Sequence, residues 1–241
     1  AAFVRSPHPH ALIKSIDTVA ARAVPGVTAV YTLADFSPHI LADRLPLQFP
    51  SKDFGPDVTP YLLAGDEVCH VGEVIAMVIA ETRYVAEDAA LLVEVDYDPL
   101  PSVAGCAAAF ADDAPLVHRD TDDNVLVRFQ QSYGDADAVF AAAPHVFGDR
   151  FVQRRGAAHP IEGRGAVARY DALDDAITLW SSTQMSHEVR STMVRLFGMD
   201  EGQVRVVAPD VGGGFGSKYI AYSEEIAVAL AAKLLDAPVK W

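Results

Sequence analysis

Four glycines in five residues, Gly212-Gly213-Gly214-Phe215-Gly216, interrupt the chain between a β-rich run at 204–208 and a helical run that extends to Leu235 and stops at Pro238. A strand that turns through such a loop toward a helix belongs to an architecture mixing both elements. Without side chains, the loop backbone can lie close against a ligand, its amides and the following helix N-terminus facing negative charge. Two nucleotide signatures fail on spacing. A P-loop requires Gly-Lys-Ser/Thr five residues after its first glycine, where this chain has Ser217-Lys218-Tyr219 after Gly212. A dinucleotide fingerprint counted from Gly212 meets Ser217 where its last glycine belongs. A tight turn that uses glycine only for positive φ explains the cluster equally well on these grounds.

Residues 1–100 alternate short strands with short helices. Residues 11–16 are strand-like, Asp17 can cap a helix over 18–23, and Pro25-Gly26 stops it. A second β-rich run covers 27–31, and the five prolines and Gly55 between 36 and 60 predict a long loop that no regular element tolerates. Residues 73–80 read as a buried strand. Thr82 then caps a helix reaching Leu92, with Tyr84, Ala89 and Leu92 near one face, before a strand at 93–97. Between 98 and 123 the texture changes: Pro99, Pro101, Gly105, Pro115 and clustered aspartates mark a linker. Beyond Asn124, strands are expected at 125–130, 147–153, 165–170 and 176–180, with a hairpin turn at 171–175. Ser186 can cap a helix that carries Val189, Met193, Val194 and Phe197 on one side and ends at Gly198. The reading is an α+β chain of three parts: 1–100, a linker at 101–123, and 124–241.

Both ends look cut, because strand-like sequence starts beside Ala1 and residues 237–241 stop where a new strand begins. A piece of something longer should leave the apolar faces of the 189–197 and 226–235 helices bare and should self-associate.

The charge balance is 19 basic against 33 acidic residues, a formal −14, which repels phosphate backbones and argues against a nucleic-acid partner. No apolar run approaches the roughly 18 residues of a membrane helix. Cys69 and Cys106 lack CxxC spacing, so iron–sulfur, zinc-ribbon and dithiol readings fail within this chain. Reduced thiols fit a cytoplasmic protein, with the periplasm as the other reading. His8-Pro9-His10 would place two imidazoles on one strand face, yet no third ligand stands at useful spacing. His159-Pro160-Ile161-Glu162 contains a proline that breaks the helix an H-E-x-x-H site needs, and no G-x-S-x-G elbow occurs. Asp120, Asp122 and Asp123 lack the calcium-loop spacing.

Longer segments carry a more specific signal. Phe3-Val4-Arg5-Ser6-Pro7-His8-Pro9-His10-Ala11, Val71-Gly72-Glu73, the run from Ala80 to Ala90, Val95-Asp96-Tyr97 and Pro99-Leu100-Pro101 resemble the opening of the large subunit of molybdenum hydroxylases. That is the family of xanthine dehydrogenase, aldehyde oxidase and aerobic carbon monoxide dehydrogenase. Gly134-Asp135, Pro160-Ile161-Glu162, Trp180-Ser181-Ser182-Thr183-Gln184 and the run from Val206 to Lys218 are similar to its molybdenum domain. The resemblance implies an α/β hammerhead module at 1–100, followed by the first part of a molybdopterin-binding α+β domain. It implies oxidation of an aldehyde, a small heterocycle or carbon monoxide at a molybdopterin centre, with water as the oxygen source.

On the matching positions, Gln184 would hydrogen-bond an oxygen ligand of molybdenum, and Gly214, Phe215 and Gly216 would line the cofactor with backbone. Gln184 and Phe215 would thus touch the metal's oxygens without ligating the metal. Tyr219 stands where purine-oxidising members carry a substrate-binding glutamate, and Val74 replaces the usual proline after Gly72-Glu73. The resemblance also implies a cytosine-dinucleotide form of the cofactor and iron–sulfur clusters and FAD on other subunits or domains. The general base would lie beyond Trp241, in the remainder of the molybdopterin domain. A nucleotide-binding enzyme using the glycine loop, or a non-catalytic assembly module, are the competing classes.

Overall fold

The computed structural model describes residues 1–47, 58–153 and 156–241. In the first hundred residues, β1 (Ala2–Arg5), β2 (Ala11–Asp17), α1 (Val19–Arg22), β3 (Val27–Thr32), α2 (Leu33–Phe36), β4 (Glu67–Val68), β5 (Val74–Ala80), α3 (Arg83–Ala90) and β6 (Glu94–Pro99) form two three-stranded sheets, ordered β1-β5-β3 and β4-β2-β6. Pairing within both is antiparallel.

The sequence Val-Ile-Ala-Met-Val-Ile-Ala of β5 is apolar throughout because this strand sits centrally in its sheet with both faces covered. Met77 and Ile79 face the largest core, and Ala76 and Val78 face a smaller one beneath α1 and α3. The pairing slips between Val4 and Arg5, opposite Val74 and Ala76; this bulge returns Val74 to the side of Met77 and Ile79.

The helix after Thr82 forms as expected, Thr82 Oγ1 accepting from the Val85 N–H at 3.2 Å. Its buried face is Ala86 and Ala89, whereas Tyr84 is 77% exposed and Leu92 lies outside the helix, 44% exposed. The expected face is corrected for a packing reason: only small side chains fit where the helix lies flat on the sheet. The loop expected from 36 to 60 begins with structure too. α2 closes at Phe36, and a 3₁₀ turn at Ser37–His39 tolerates Pro38 because its first residues need no N–H partner. Residues 48–57, which hold Pro50, Gly55 and Pro56, lie outside the described residues.

Among the described residues between 100 and 165 the chain forms two short helices, α4 (Cys106–Ala109) and α5 (Ala136–Ala142). The strands expected at 125–130 and 147–153 do not form. Phe129, Phe147 and Phe151 are 69%, 91% and 89% exposed, and β-prone sequence without a neighbouring strand gains nothing from extending.

The second half contains β7 (Ala166–Asp171), β8 (Ala176–Ser181), α6 (Ser186–Phe197), β9 (Val204–Val207), α7 (Ser223–Leu235) and β10 (Val239–Lys240), in a sheet ordered β10-β7-β8-β9. The hairpin turn falls at the expected residues, with Asp175 at φ 45°. β8 and β9 are parallel, as the α6 crossover between them requires. α6 starts at Ser186 and ends at Gly198 in the left-handed region. The N-terminal hydroxyl contact comes from Thr183, which accepts from the Met185 N–H at 3.1 Å, rather than from Ser186.

α7 corrects the expectation of bare apolar faces: Ile226 to Ala232 are all buried. So are Val189, Met193 and Leu196 of α6. α7 packs on β7 and β8 and reaches β5 of the first sheet, so Leu33, Phe36, Leu62, Met77, Leu179 and Ile226 share one core. A helix apolar all round is a core helix. Its first turn carries two buried carboxylates. Glu224 pairs with Arg5 at 2.6 Å and with Arg164 through two bonds of 2.9 and 3.0 Å. Burial pushes the Glu224 carboxyl up, and the Arg164 and Arg5 guanidinium groups outweigh it and hold it below its usual range.

Among the described residues Glu225 makes no ion pair, and Arg164 acts on it only at longer range. Glu225 accepts from Ser181 Oγ at 2.9 Å, and burial pushes its carboxyl up to about 7. The unfolded chain therefore releases this proton near the ordinary carboxylate pKa, while the folded chain holds it to about 7. The stability that Glu225 contributes is present below the ordinary value and is lost as pH rises toward neutrality. Glu225→Gln should match the parent in denaturant titrations at low pH and exceed it by about 3 kcal/mol at pH 8. A pH-independent difference would reject the assignment.

Candidate functional site

The loop at 212–218 leaves β9 and lies against the segment that follows β8. Gln184 follows the buried residues Ser181, Ser182 and Thr183 at the end of β8, and its own side chain is exposed. Its Oε1 accepts from the Gly216 N–H at 3.1 Å and the Lys218 N–H at 3.2 Å. Both partners are donors, so the oxygen must face the loop and the NH₂ must face away from it. Among the described residues, that NH₂ meets no protein acceptor.

Gly214 is buried directly beneath Gln184. A Cβ there would lie 2.3 Å from Gln184 Oε1, so the position admits glycine alone. Gly213, Phe215 and Gly216 take φ values of 95°, 50° and 88°; positive φ is costly for Phe215, a residue that is 77% exposed. The N–H groups of Gly213, Ser217 and Tyr219 are used within the loop, on Val211, Gly214 and Gly216 carbonyls. Those of Gly214 and Phe215 meet no protein acceptor among the described residues. The site therefore presents a side-chain amide and two main-chain N–H groups, fixed by their neighbours and free to donate. Such a set suits an oxygen-rich, negatively charged group held close to backbone. Molybdenum bound by molybdopterin, with its oxygen ligands, is a group of this kind, and glycine at 214 lets the Gln184 side chain lie flat on the loop that would hold it.

Glu162 and Lys218 complete the arrangement, and sequence reasoning assigned neither a role. Glu162 Oε2 accepts from Lys218 Nζ at 2.7 Å, Ser182 Oγ at 2.7 Å and the Gly212 N–H at 2.9 Å. The Lys218 ammonium, then Ser182 and Gly212, hold its carboxyl down at about 2. The available signal was the Pro160-Ile161-Glu162 motif, but nothing local in it points to a lysine 56 residues away.

The nucleotide reading loses its two supports here. The Lys218 side chain is 1% exposed, with its ammonium bound to Glu162, and α7 begins only at Ser223, so its N-terminus does not open from the glycine loop. Tyr219, 42% exposed, follows the loop directly. His159 is exposed, away from any helix, and His8 packs edge-on against the Tyr97 ring. His10, Glu67 and Cys69 lie close enough together to hold a metal. However, Glu67 already accepts from His10 Nε2 at 2.8 Å and Arg119 Nε at 2.9 Å. Burial, with Glu67 and Glu73, pushes the Cys69 thiol up to about 12, which disfavours the thiolate a metal needs. Among the described residues, no helix is long and apolar enough to cross a membrane.

Comparison with known proteins agrees with this geometry. The chain is 40% identical to the nicotine 6-hydroxylase large subunit of Paenarthrobacter nicotinovorans, covering 100% of the chain and 29% of that protein. It is 40% identical to the carbon monoxide dehydrogenase large chain of Afipia carboxidovorans, covering 99% of the chain and 30% of that protein. The quinoline 2-oxidoreductase of Pseudomonas putida 86 superposes with a TM-score of 0.89 at 36% identity, over 100% of the chain and 30% of its own. The chain thus spans less than a third of the length of these relatives. Residues 1–101 match the aldehyde oxidase and xanthine dehydrogenase a/b hammerhead domain, and residues 117–241 match the molybdopterin cofactor-binding domain. With the hammerhead at 1–101 leading into that cofactor domain, the chain belongs to the xanthine dehydrogenase, aldehyde oxidase and carbon monoxide dehydrogenase family of molybdenum hydroxylases.

Proposed function

We propose that this chain is part of the catalytic subunit of a molybdenum hydroxylase that oxidises an aldehyde, a small heterocycle or carbon monoxide with oxygen drawn from water. The observation that carries the reading is the orientation of Gln184: its oxygen is committed to Gly216 and Lys218, which leaves its NH₂ to donate outward. When bound, molybdopterin supplies the two-electron redox chemistry. The chain's own residues bind and orient. The Gln184 NH₂ and the N–H groups of Gly214 and Phe215 would hold the cofactor's oxygen atoms as donors, and donors fixed beforehand need no reorganisation. Gly216 lets the loop turn back beneath Gln184.

The cofactor is proposed in its cytosine-dinucleotide form, with iron–sulfur and FAD subunits or domains as electron-transfer partners. The general base is proposed to come from the remainder of the molybdopterin domain. The division proposed is a hammerhead module at 1–100, a connection at 101–123 and a partial cofactor domain from 124, in a cytoplasmic protein.

Tyr219 bears on substrate. A phenol cannot supply the carboxylate that grips a purine ring nitrogen, and sites built on such a contact discriminate strongly when it is lost. The nicotine hydroxylase and the quinoline oxidoreductase, by their names, act on heterocycles that are not purines. The full-length protein, purified with its partner subunits, should contain molybdenum and release a cytosine nucleotide on acid treatment. Its kcat/KM for xanthine should fall at least about 10²-fold below that for its best aldehyde or heterocyclic substrate. Absence of molybdenum would overturn the function, and efficient xanthine turnover would overturn the role of Tyr219.

A further inference from the structure

We propose that Glu162 is a positioning residue whose single oxygen ties both ends of the 212–218 loop together, and so sets where Gln184 and the free N–H groups of Gly214 and Phe215 point. The proposal rests on the reading of that loop as the cofactor cradle and adds to it the device that holds it. Glu162 Oε2 takes three donors at once: the main-chain N–H of Gly212, where the loop begins, the ammonium of Lys218, where it ends, and the hydroxyl of Ser182, two residues before Gln184. The Glu162 N–H also reaches the Gly212 carbonyl at 3.4 Å. Gly212 is pressed so tightly against this side chain that a Cβ would lie 2.7 Å from Glu162 Cβ.

The loop needs such a tie. Three of its residues hold positive φ, and a backbone of that kind persists only where its surroundings over-determine it. Gln184 Oε1 fastens the second half of the loop through Gly216 and Lys218, and Glu162 fastens the first half through Gly212. Lys218 belongs to both fastenings: its N–H serves Gln184 and its ammonium serves Glu162. Glu162 itself sits outside every strand and helix and is partly exposed, whereas the apolar core lies elsewhere. Its loss should therefore disturb the loop more than the fold, apart from the charge it strands on Lys218.

The alternative is an ion pair that serves only to neutralise a buried lysine. Variants of the full-length enzyme separate the two. Glu162→Ala leaves the Lys218 ammonium buried and unpaired, which by itself destabilises the fold, so the deciding variant is Glu162→Ala with Lys218→Met, which removes both charges and keeps the volume of the lysine stem. If Glu162 positions the loop, this double variant folds with near-parental thermal stability, yet the 212–218 amides exchange hydrogen at least about 10-fold faster. In molybdenum-loaded enzyme, kcat falls about 10²-fold with KM nearly unchanged, and the Mo(V) resonance signal broadens into more than one species. Glu162→Gln, which keeps an oxygen for Gly212 and Ser182, should recover part of the amide protection and part of kcat. A folded double variant with parental amide exchange, resonance signal and kcat would reduce Glu162 to charge neutralisation and overturn the proposal. Amide exchange is read whether or not molybdenum is bound. A parent enzyme without molybdopterin would sink the cofactor reading while leaving the tie itself decided by exchange.

Discussion

Gln184→Ala is expected to lower kcat by about 10²–10³-fold in full-length, molybdenum-loaded enzyme, the scale on which one lost preorganised donor acts. The substitution removes two things together: the outward NH₂ and the oxygen that holds the Gly216 and Lys218 amides at 3.1 and 3.2 Å. Gln184→Glu separates them. The carboxylate keeps the acceptor for both loop amides and loses the donor, so amide exchange across 212–218 should stay near the parental rate while kcat falls as far as in the alanine variant. Because Gln184 is exposed, denaturant midpoints should move little in either case. Parental turnover in a fully loaded Gln184→Glu enzyme would show that the outward amide has no catalytic part.

The second large effect belongs to Glu224→Ala, which should destabilise the chain by about 3–5 kcal/mol, the usual cost of breaking a buried ion pair from one side. Glu224 is 3% exposed and joins Arg5 of the first module to Arg164, just before β7 of the four-stranded sheet. Arg164 in turn stacks on the Tyr222 ring at 3.9 Å and faces the Trp241 ring at 5.3 Å, so its guanidinium cannot turn to water without giving up that packing. Glu224 also stands in the first turn of α7, where a negative charge complements the helix dipole. Urea titration should show a lowered midpoint with an unchanged slope. A loss below about 1 kcal/mol would mean that the three charges are solvated as exposed pairs are.

Local chemistry made much of this structure legible. Thr82 and Gly198 mark their helix ends because capping and left-handed geometry depend on only a few neighbouring residues. The run at β5 was readable as buried because no polar residue interrupts it. What failed depends on the rest of the molecule. Tyr84 and Leu92 looked like a packing face, yet the sheet below α3 has room only for Ala86 and Ala89. Phe147 and Phe151 have strand chemistry and no strand to pair with. At the site, Gln184, Phe215 and Gly216 were reached through motif resemblance, and their geometry adds which end of the amide is free. Glu162 and Lys218 stayed hidden because an ion pair across 56 residues leaves no periodic trace in either segment.

The common core beneath α7 bears on how this polypeptide responds to damage. The stretch from 126 to 153 is largely exposed and has little regular structure, which makes it the natural place for a protease to cut. Such a cut would separate the sequence into two pieces without separating them in space. Leu33, Phe36 and Met77 on one piece remain interlocked with Ile226 and Leu230 on the other, and Arg5 stays bound to Glu224 across the break. A nicked molecule would migrate as two bands under denaturing conditions and as a single particle in native solution, and neither piece would survive alone as a folded body.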